Sequence, residues 1–302
     1  MIELSNGHRL EFLVASGALG FDGKGYIWEQ PFRWISLIRP SAFSAIVLKT
    51  LTYEERVGNL KWNNGFQVVK RIKDHQGECV GHVNSIGLTN PGFKKWYKEI
   101  SPTLDPKCKF IVSITTTFED ELLAMIYKLN SLKNLVAVEF NASCPNSPLE
   151  SDLLNNVSEV VRLATIAGNK SVHPIILKLS CQQKYLTITE AVVGLCQAIS
   201  INSVPWVWVY PGKQSPLPKQ FGEGGVSGLV AQPYTFSMVD NLNQLGLIPV
   251  IGTSVWDYPD LIGLRQMGAR AVSFGSIFIK GPFSSILPNL FIKRFKKEYK
   301  HF

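Results

Sequence analysis

Short runs of apolar, β-branched residues recur along this chain, and between them lie stretches whose apolar positions repeat at helical spacing. Eight runs read as strands: Glu11 to Val14, Ala45 to Lys49, Phe110 to Ile114, Val136 to Asn141, Ile175 to Leu179, Ile199 to Asn202, Ile248 to Gly252 and Ala271 to Gly275. The amphipathic stretches Glu119 to Leu132, Leu153 to Ala167, Thr187 to Ile199, Pro233 to Leu245, Tyr258 to Met267 and Phe283 to Tyr299 read as helices. Strands that are apolar throughout and alternate with helices belong to a parallel sheet buried on both faces. Eight such units close naturally into a (β/α)8 TIM barrel, so the pattern predicts one α/β domain over residues 1–302. Two stretches exceed a minimal barrel, Thr52 to Thr103 and Ser203 to Gly228. They are expected as inserted loops or lids at the carboxyl end of the strands.

Composition supports this picture. The chain has 302 residues, a length that fits two domains or one α/β barrel, and with 45% hydrophobic and 18% charged residues it has the makings of a large core. The formal net charge of +8 suits either nucleic acid or an acidic small molecule, and the basic run FIKRFKKEYKHF reads as a solvated helix face. Five cysteines, at 79, 108, 144, 181 and 196, contain no CxxC pair. That odd set argues against a disulfide framework and a zinc ribbon, so no metal is expected and a reducing cytoplasm is. The N-terminus has no signal-like segment, and no run approaches the roughly 18 to 20 apolar residues of a membrane span.

In a barrel of this kind the reacting groups gather where the strands end. The strand exits here are Ala15-Ser16-Gly17, Lys49-Thr50, Asn141 with Cys144 and Asn146 beyond it, Lys178, Asn202-Ser203, Gly252-Thr253-Ser254 and Gly275-Ser276. The small residues after strands seven and eight, with Gly224-Gly225 in the preceding loop, suggest backbone N–H groups converging on a phosphate. Two lysines aimed into one mouth, Lys49 and Lys178, call for something anionic between them.

The motifs VASGALG, HVNSIGLTNPG, NASCPN, LKLS, INS and GGVSG, in that order along the chain, resemble those of the dihydroorotate dehydrogenase family. The resemblance implies an FMN-dependent barrel oxidising dihydroorotate to orotate in pyrimidine (UMP) biosynthesis, in the cytosolic class whose base is a cysteine. By that resemblance Cys144 is the base and Lys49 lies near substrate and flavin. Asn84, Asn141, Asn146, Asn202 and Ser203 hold the pyrimidine, and Ile86, Gly87 and Leu88 meet its carboxylate. Ala15, Ser16, Thr50 and Lys178 touch the isoalloxazine, Gly17, Lys49 and Asn141 also bind the cofactor, and Gly225, Gly252, Thr253, Gly275 and Ser276 cradle the phosphate and ribityl chain.

The chemistry suits these residue types. A thiol with a pKa of about 8.5 is close enough to neutral pH for a nearby cation to make it a base. Side-chain amides offer one donor and one acceptor each, matching the alternating edge of a pyrimidine. A cation beside the flavin stabilises the charge that it gains on reduction, and Lys178 is the candidate.

The chain departs from the family where GTSVWD stands in place of GTGG, and Ala142 occupies a position that often holds a larger apolar residue. A non-glycine turn at Ser254 can still present N–H groups if its φ is negative. A dihydrouridine synthase-like enzyme or another dihydropyrimidine oxidoreductase is the alternative, although the 27 residues after Gly275 suit one barrel helix rather than an RNA-binding domain. A non-catalytic flavoprotein is the reading from a different class. The expected partners are the small-molecule substrate and a second copy of the chain, with neither nucleic acid nor membrane. INS and Pro148 favour fumarate as electron acceptor, and an iron–sulfur flavoprotein partner passing electrons to NAD stays open.

Overall fold

The computed structural model describes residues 1–25, 38–60, 67–143 and 151–299. The eight apolar runs form the strands β1 (Phe12–Val14), β2 (Ala45–Val47), β3 (Phe110–Ile114), β4 (Leu135–Asn141), β5 (Ile175–Leu179), β6 (Ala198–Ile201), β7 (Val250–Gly252) and β8 (Ala271–Phe274). All neighbours are parallel and follow in chain order, and β8 pairs with β1, Val272 opposite Phe12, to close the barrel. Of the residues in these strands only Lys178 is not buried.

Alternation along each strand divides the core in two. Outward residues such as Phe12, Val112, Phe140, Leu177 and Val272 pack against the helices. Inward residues Leu13, Val47, Ile111, Ala137, Ile176, Ala198, Ile251 and Ala271 fill the lower lumen. A hairpin of Ile2–Glu3 with Arg9–Leu10 adds Ile2, Leu4 and Leu10 to that lower layer.

The outer ring contains α1 (Glu119–Leu129), α2 (Val157–Lys170), α3 (Tyr185–Ala191), α4 (Gln232–Leu245), α5 (Tyr258–Gln266) and α6 (Leu287–Glu298). Three boundaries differ from the periodicity. The expected helix from Leu153 is interrupted at Asn156, whose side chain accepts from the Glu159 N–H at 3.1 Å and starts α2 afresh. The stretch Thr187 to Ile199 is not one helix: α3 stops at Ala191, Gly194 turns at φ +80°, and Ala198–Ile201 is drawn into β6 by pairing on both sides. The last helix begins at Leu287 rather than Phe283, because Phe283 takes φ +64° and Pro288 favours the first turn.

The two insertions, expected as separate loops, share one antiparallel sheet. Val204–Pro205, Gly225–Gly228, Cys79–Asn84 and Val69–Lys73 lie in that order, with Gly225 opposite Asn84 and Val226 opposite Val83. Ile72, Val83, Val204, Trp206, Leu217, Val226 and Ala231 give this sheet its own small core. Among the described residues no helix is long and apolar enough to cross a membrane, and no cluster of three or more His, Cys, Asp or Glu side chains could hold a metal ion.

Candidate active site

Above the apolar filling, the inward positions at the carboxyl end of the barrel turn polar. Ser113 on β3 donates to Glu139 Oε1 at 2.8 Å, Ser200 on β6 donates to Glu139 Oε2 at 3.0 Å, and Lys178 Nζ lies 3.7 Å from Oε1. The Glu139 side chain is 4% exposed and that of Lys178 is 12% exposed, which puts this ion pair inside the protein with its ammonium toward the mouth. The expected anion between two lysines is thus partly supplied by the protein itself. Lys49 is accounted for separately: its ammonium donates to the Thr89 carbonyl and sits 5.0 Å from the centre of the Phe21 ring.

Two residues further up β4, Asn141 joins four exits. Its Nδ2 donates to Thr50 Oγ1 at 3.2 Å, while its Oδ1 accepts from Ser143 N at 3.2 Å and Ser143 Oγ at 2.7 Å. Thr50 also contacts Ser113 at 2.9 Å and Ser16 at 3.3 Å. Asn202, after β6, donates to the Ser143 carbonyl at 3.0 Å. Ser16, Thr50, Asn141 and Asn202 therefore form one polar rim, and Gly17 lies against the Lys49 stem, an added Cβ falling 3.6 Å from its Cγ. Ala142 is fully buried in the outer core and its carbonyl accepts from Gln183 at 2.9 Å, so a larger residue there would press on α2 and the β5 exit. Cys144, Asn146 and Pro148 lie outside the described residues.

The inserted sheet brings Asn84, Ser203 and Gly225 together. Asn84 Nδ2 donates to the Gly225 carbonyl at 3.4 Å, and a Cβ on Gly225 would stand 2.5 Å from Ser203 Oγ, so any larger residue there would have to displace the Ser203 side chain. In the adjoining turn Gly87 has φ +68° and Leu88 φ +56°. The carbonyl of Ile86 accepts from Asn59 N at 3.0 Å and from Thr89 Oγ1 at 2.9 Å, and that of Leu88 accepts from Asn90 at 2.7 Å. With the Ile86 and Leu88 carbonyls engaged, this turn has N–H groups left to offer, the polarity that an anion requires.

After β7 and β8 the geometry is mixed. Gly252 is buried, and a Cβ there would lie 3.0 Å from Leu264 and 3.1 Å from Ala269, a tight fit that a larger residue could enter only by shifting those side chains. Thr253 follows it, half-buried, and Ser254 adopts φ +66°, contrary to the negative φ expected of a non-glycine residue, with its carbonyl held by Gln232 Nε2 at 3.0 Å. The turn thus retains the left-handed shape with a serine. Gly275 and Ser276 follow β8, where Ala15 N donates to the Phe274 carbonyl at 2.8 Å and a Gly275 Cβ would stand 3.4 Å from that of Ala15. An open depression of about 1020 Å³ lined by Thr117, Asn156, Glu159, Gln182 and Lys184 contains none of the predicted site residues.

Two of the other thiols are ill suited to act as bases. Burial pushes Cys181 up to about 11 and Cys196 up to about 12. Sequence reasoning missed Glu139. Its signal is a lone acidic residue in the otherwise apolar run VAVEFN, which the continuity of the strand concealed.

The model of the family described as Dihydroorotate dehydrogenase matches residues 13–288. A dihydroorotate dehydrogenase B (NAD(+)), catalytic subunit, of Geobacillus kaustophilus (strain HTA426) is 28% identical over 283 residues, covering 90% of this chain and 82% of the relative. The protein of the same name from Latilactobacillus sakei subsp. sakei (strain 23K) is 26% identical over 299 residues, covering 96% and 88%, and that of Listeria monocytogenes serotype 4a (strain HCC23) is 27% identical over 284 residues, covering 92% and 86%. The fold is a closed barrel and the family match runs over most of its length, so the chain belongs to the dihydroorotate dehydrogenase family of FMN-dependent oxidoreductases.

Proposed function

We propose that this chain binds FMN in the barrel mouth and oxidises dihydroorotate to orotate for pyrimidine biosynthesis, as the catalytic part of an assembly that passes electrons to NAD+. The observation that carries this reading is the convergence of Asn84, Asn141, Asn202 and Lys178 around one barrel mouth, with hydrogen bonds already ordering three of the four.

The residues fit FMN. Ala15, Gly17 and Gly275 keep the β1 and β8 exits low enough for a flat ring to approach, and Ser16 and Thr50 add hydroxyls. Lys178 supplies the cation for the flavin's N1 and C2–O side. The turns Gly252-Thr253-Ser254 and Gly275-Ser276, with Gly225, receive the phosphate and ribityl chain. When bound, FMN accepts the hydride removed from the substrate.

Everything else falls to the protein's own groups. Cys144 removes the proton from the ring carbon, its thiolate favoured by the Lys49 ammonium. Asn84, Asn141, Asn146 and Asn202, with Ser203, satisfy the alternating donors and acceptors of the pyrimidine edge, and an analogue lacking them would leave buried amides unpaired. The N–H groups of Ile86, Gly87 and Leu88 take the carboxylate.

The relatives' names carry NAD(+) and a catalytic-subunit role, which favours a partner-linked acceptor over the fumarate expected from INS and Pro148. A homodimer of this chain with an iron–sulfur flavoprotein partner fits that reading. The test offers NAD+, fumarate or a quinone to dihydroorotate-reduced protein, purified alone and with whatever subunit co-purifies. We expect NAD+ reduction by the complex alone. Turnover by the lone chain with fumarate would instead assign the one-subunit type.

A further inference from the structure

Where branched apolar side chains usually fill the lumen of such a barrel, Ser113, Glu139, Lys178 and Ser200 stand side by side, Ser113 opposite Glu139 and Ser200 opposite Lys178. A buried carboxylate is costly unless its oxygens are fully engaged. Glu139 meets that condition with two hydroxyls and one ammonium.

The direction of the hydrogen bonds follows from it. A carboxylate only accepts, so the protons of Ser113 and Ser200 both point at Glu139. Ser113 then has none left for Thr50, and the 2.9 Å contact between them is Thr50 donating. Thr50 Oγ1 is thereby left to accept from Asn141 Nδ2. At the other end, the Ser143 backbone N–H can only donate, which requires Asn141 Oδ1 to face it. One carboxylate thus engages a cation directly and an amide through two hydroxyls, the two being register neighbours on β4 and β5.

We propose that Glu139 is a positioning residue of the site: it holds the Lys178 ammonium on the cofactor side and, through Ser113 and Thr50, fixes the Asn141 amide on the substrate side. The proposal rests on the reading that Lys178 faces the flavin. Charge gained by FMN on reduction is favoured by Lys178 and opposed by Glu139 beneath it. Removing one or the other must therefore move the flavin potential in opposite directions, whereas two merely structural losses would move it the same way.

The experiment is a redox titration of the FMN-loaded wild type, Glu139→Gln, Glu139→Asp, Lys178→Met and the Glu139→Gln/Lys178→Met pair. Each tenfold change in the ratio of affinities for oxidised and reduced FMN is about 30 mV for a two-electron couple. We expect Glu139→Gln to raise the potential by at least that tenfold step, Lys178→Met to lower it by a similar one, and Glu139→Asp to stay near wild type. A lowered Lys178→Met with Glu139→Gln unmoved overturns the proposal alone. Lys178→Met unmoved removes the reading beneath it, and the proposal with it. If Glu139→Gln does not fold, the double variant decides, since it takes out both charges together: a potential above that of Lys178→Met supports Glu139, and an equal one refutes it. Ser113→Ala cuts the chain but spares the ion pair, so it is expected to weaken orotate binding about tenfold at unchanged potential. Orotate binding as tight as in the wild type removes the Asn141 arm.

Discussion

Ser254 holds φ +66° in the turn after β7, a conformation that suits glycine. A left-handed conformation costs an ordinary residue about 1–2 kcal/mol, partly offset because glycine loses more freedom on folding. Ser254→Gly is expected to stabilise the protein by about 0.5–1 kcal/mol and raise its melting temperature by roughly a degree or two. A fall in calorimetry would mean that the serine side chain contributes more than the backbone strain removes. The residue scale is also where the sequence was least transparent. Lys178 and Asn141 announce themselves at strand exits, but the role of Glu139 depends on which way its side chain points inside the barrel. Only the closed strand register reveals that its neighbours are Ser113 and Lys178.

At the scale of elements, the barrel strands were legible because burial on both faces leaves them apolar along their whole length. The inserted sheet was not, because its strands are short, contain Gly81, Gly225 and Gly228, and its central pair joins segments more than a hundred residues apart. His82 fastens that sheet. It is 3% exposed, its ring lies 5.8 Å from that of Trp256, and its Nδ1 has no hydrogen-bond partner. Burial, aided by the nearby Arg71 charge, lowers its pKa from 6.5 to about 4. A histidine kept neutral in the folded state contributes stability that is complete above pH 6.5 and is lost as pH falls toward 4. The loss is on the order of 3 kcal/mol. Denaturant titrations from pH 7 to 4 should show it for the wild type and show less of it for His82→Phe. An equal acid slope in both would place the effect elsewhere.

For the molecule as a whole, chain order and closure agree with the sequence to within a residue or two at most strand ends, since each βα unit is specified locally and the barrel only joins them. What locality cannot specify is the assembly. The relatives named as catalytic subunits direct attention to a partner that the chain's own pattern does not encode. In the function proposed above, a thiol and a ring of amides present dihydroorotate to FMN. Anaerobic mixing of FMN-loaded protein with dihydroorotate tests it most directly. Bleaching of the flavin absorbance with stoichiometric orotate is expected, slowed by about 100-fold or more near neutral pH in Cys144→Ser. A flavin that stays yellow under excess dihydroorotate, or that bleaches equally fast without the thiol, would contradict it.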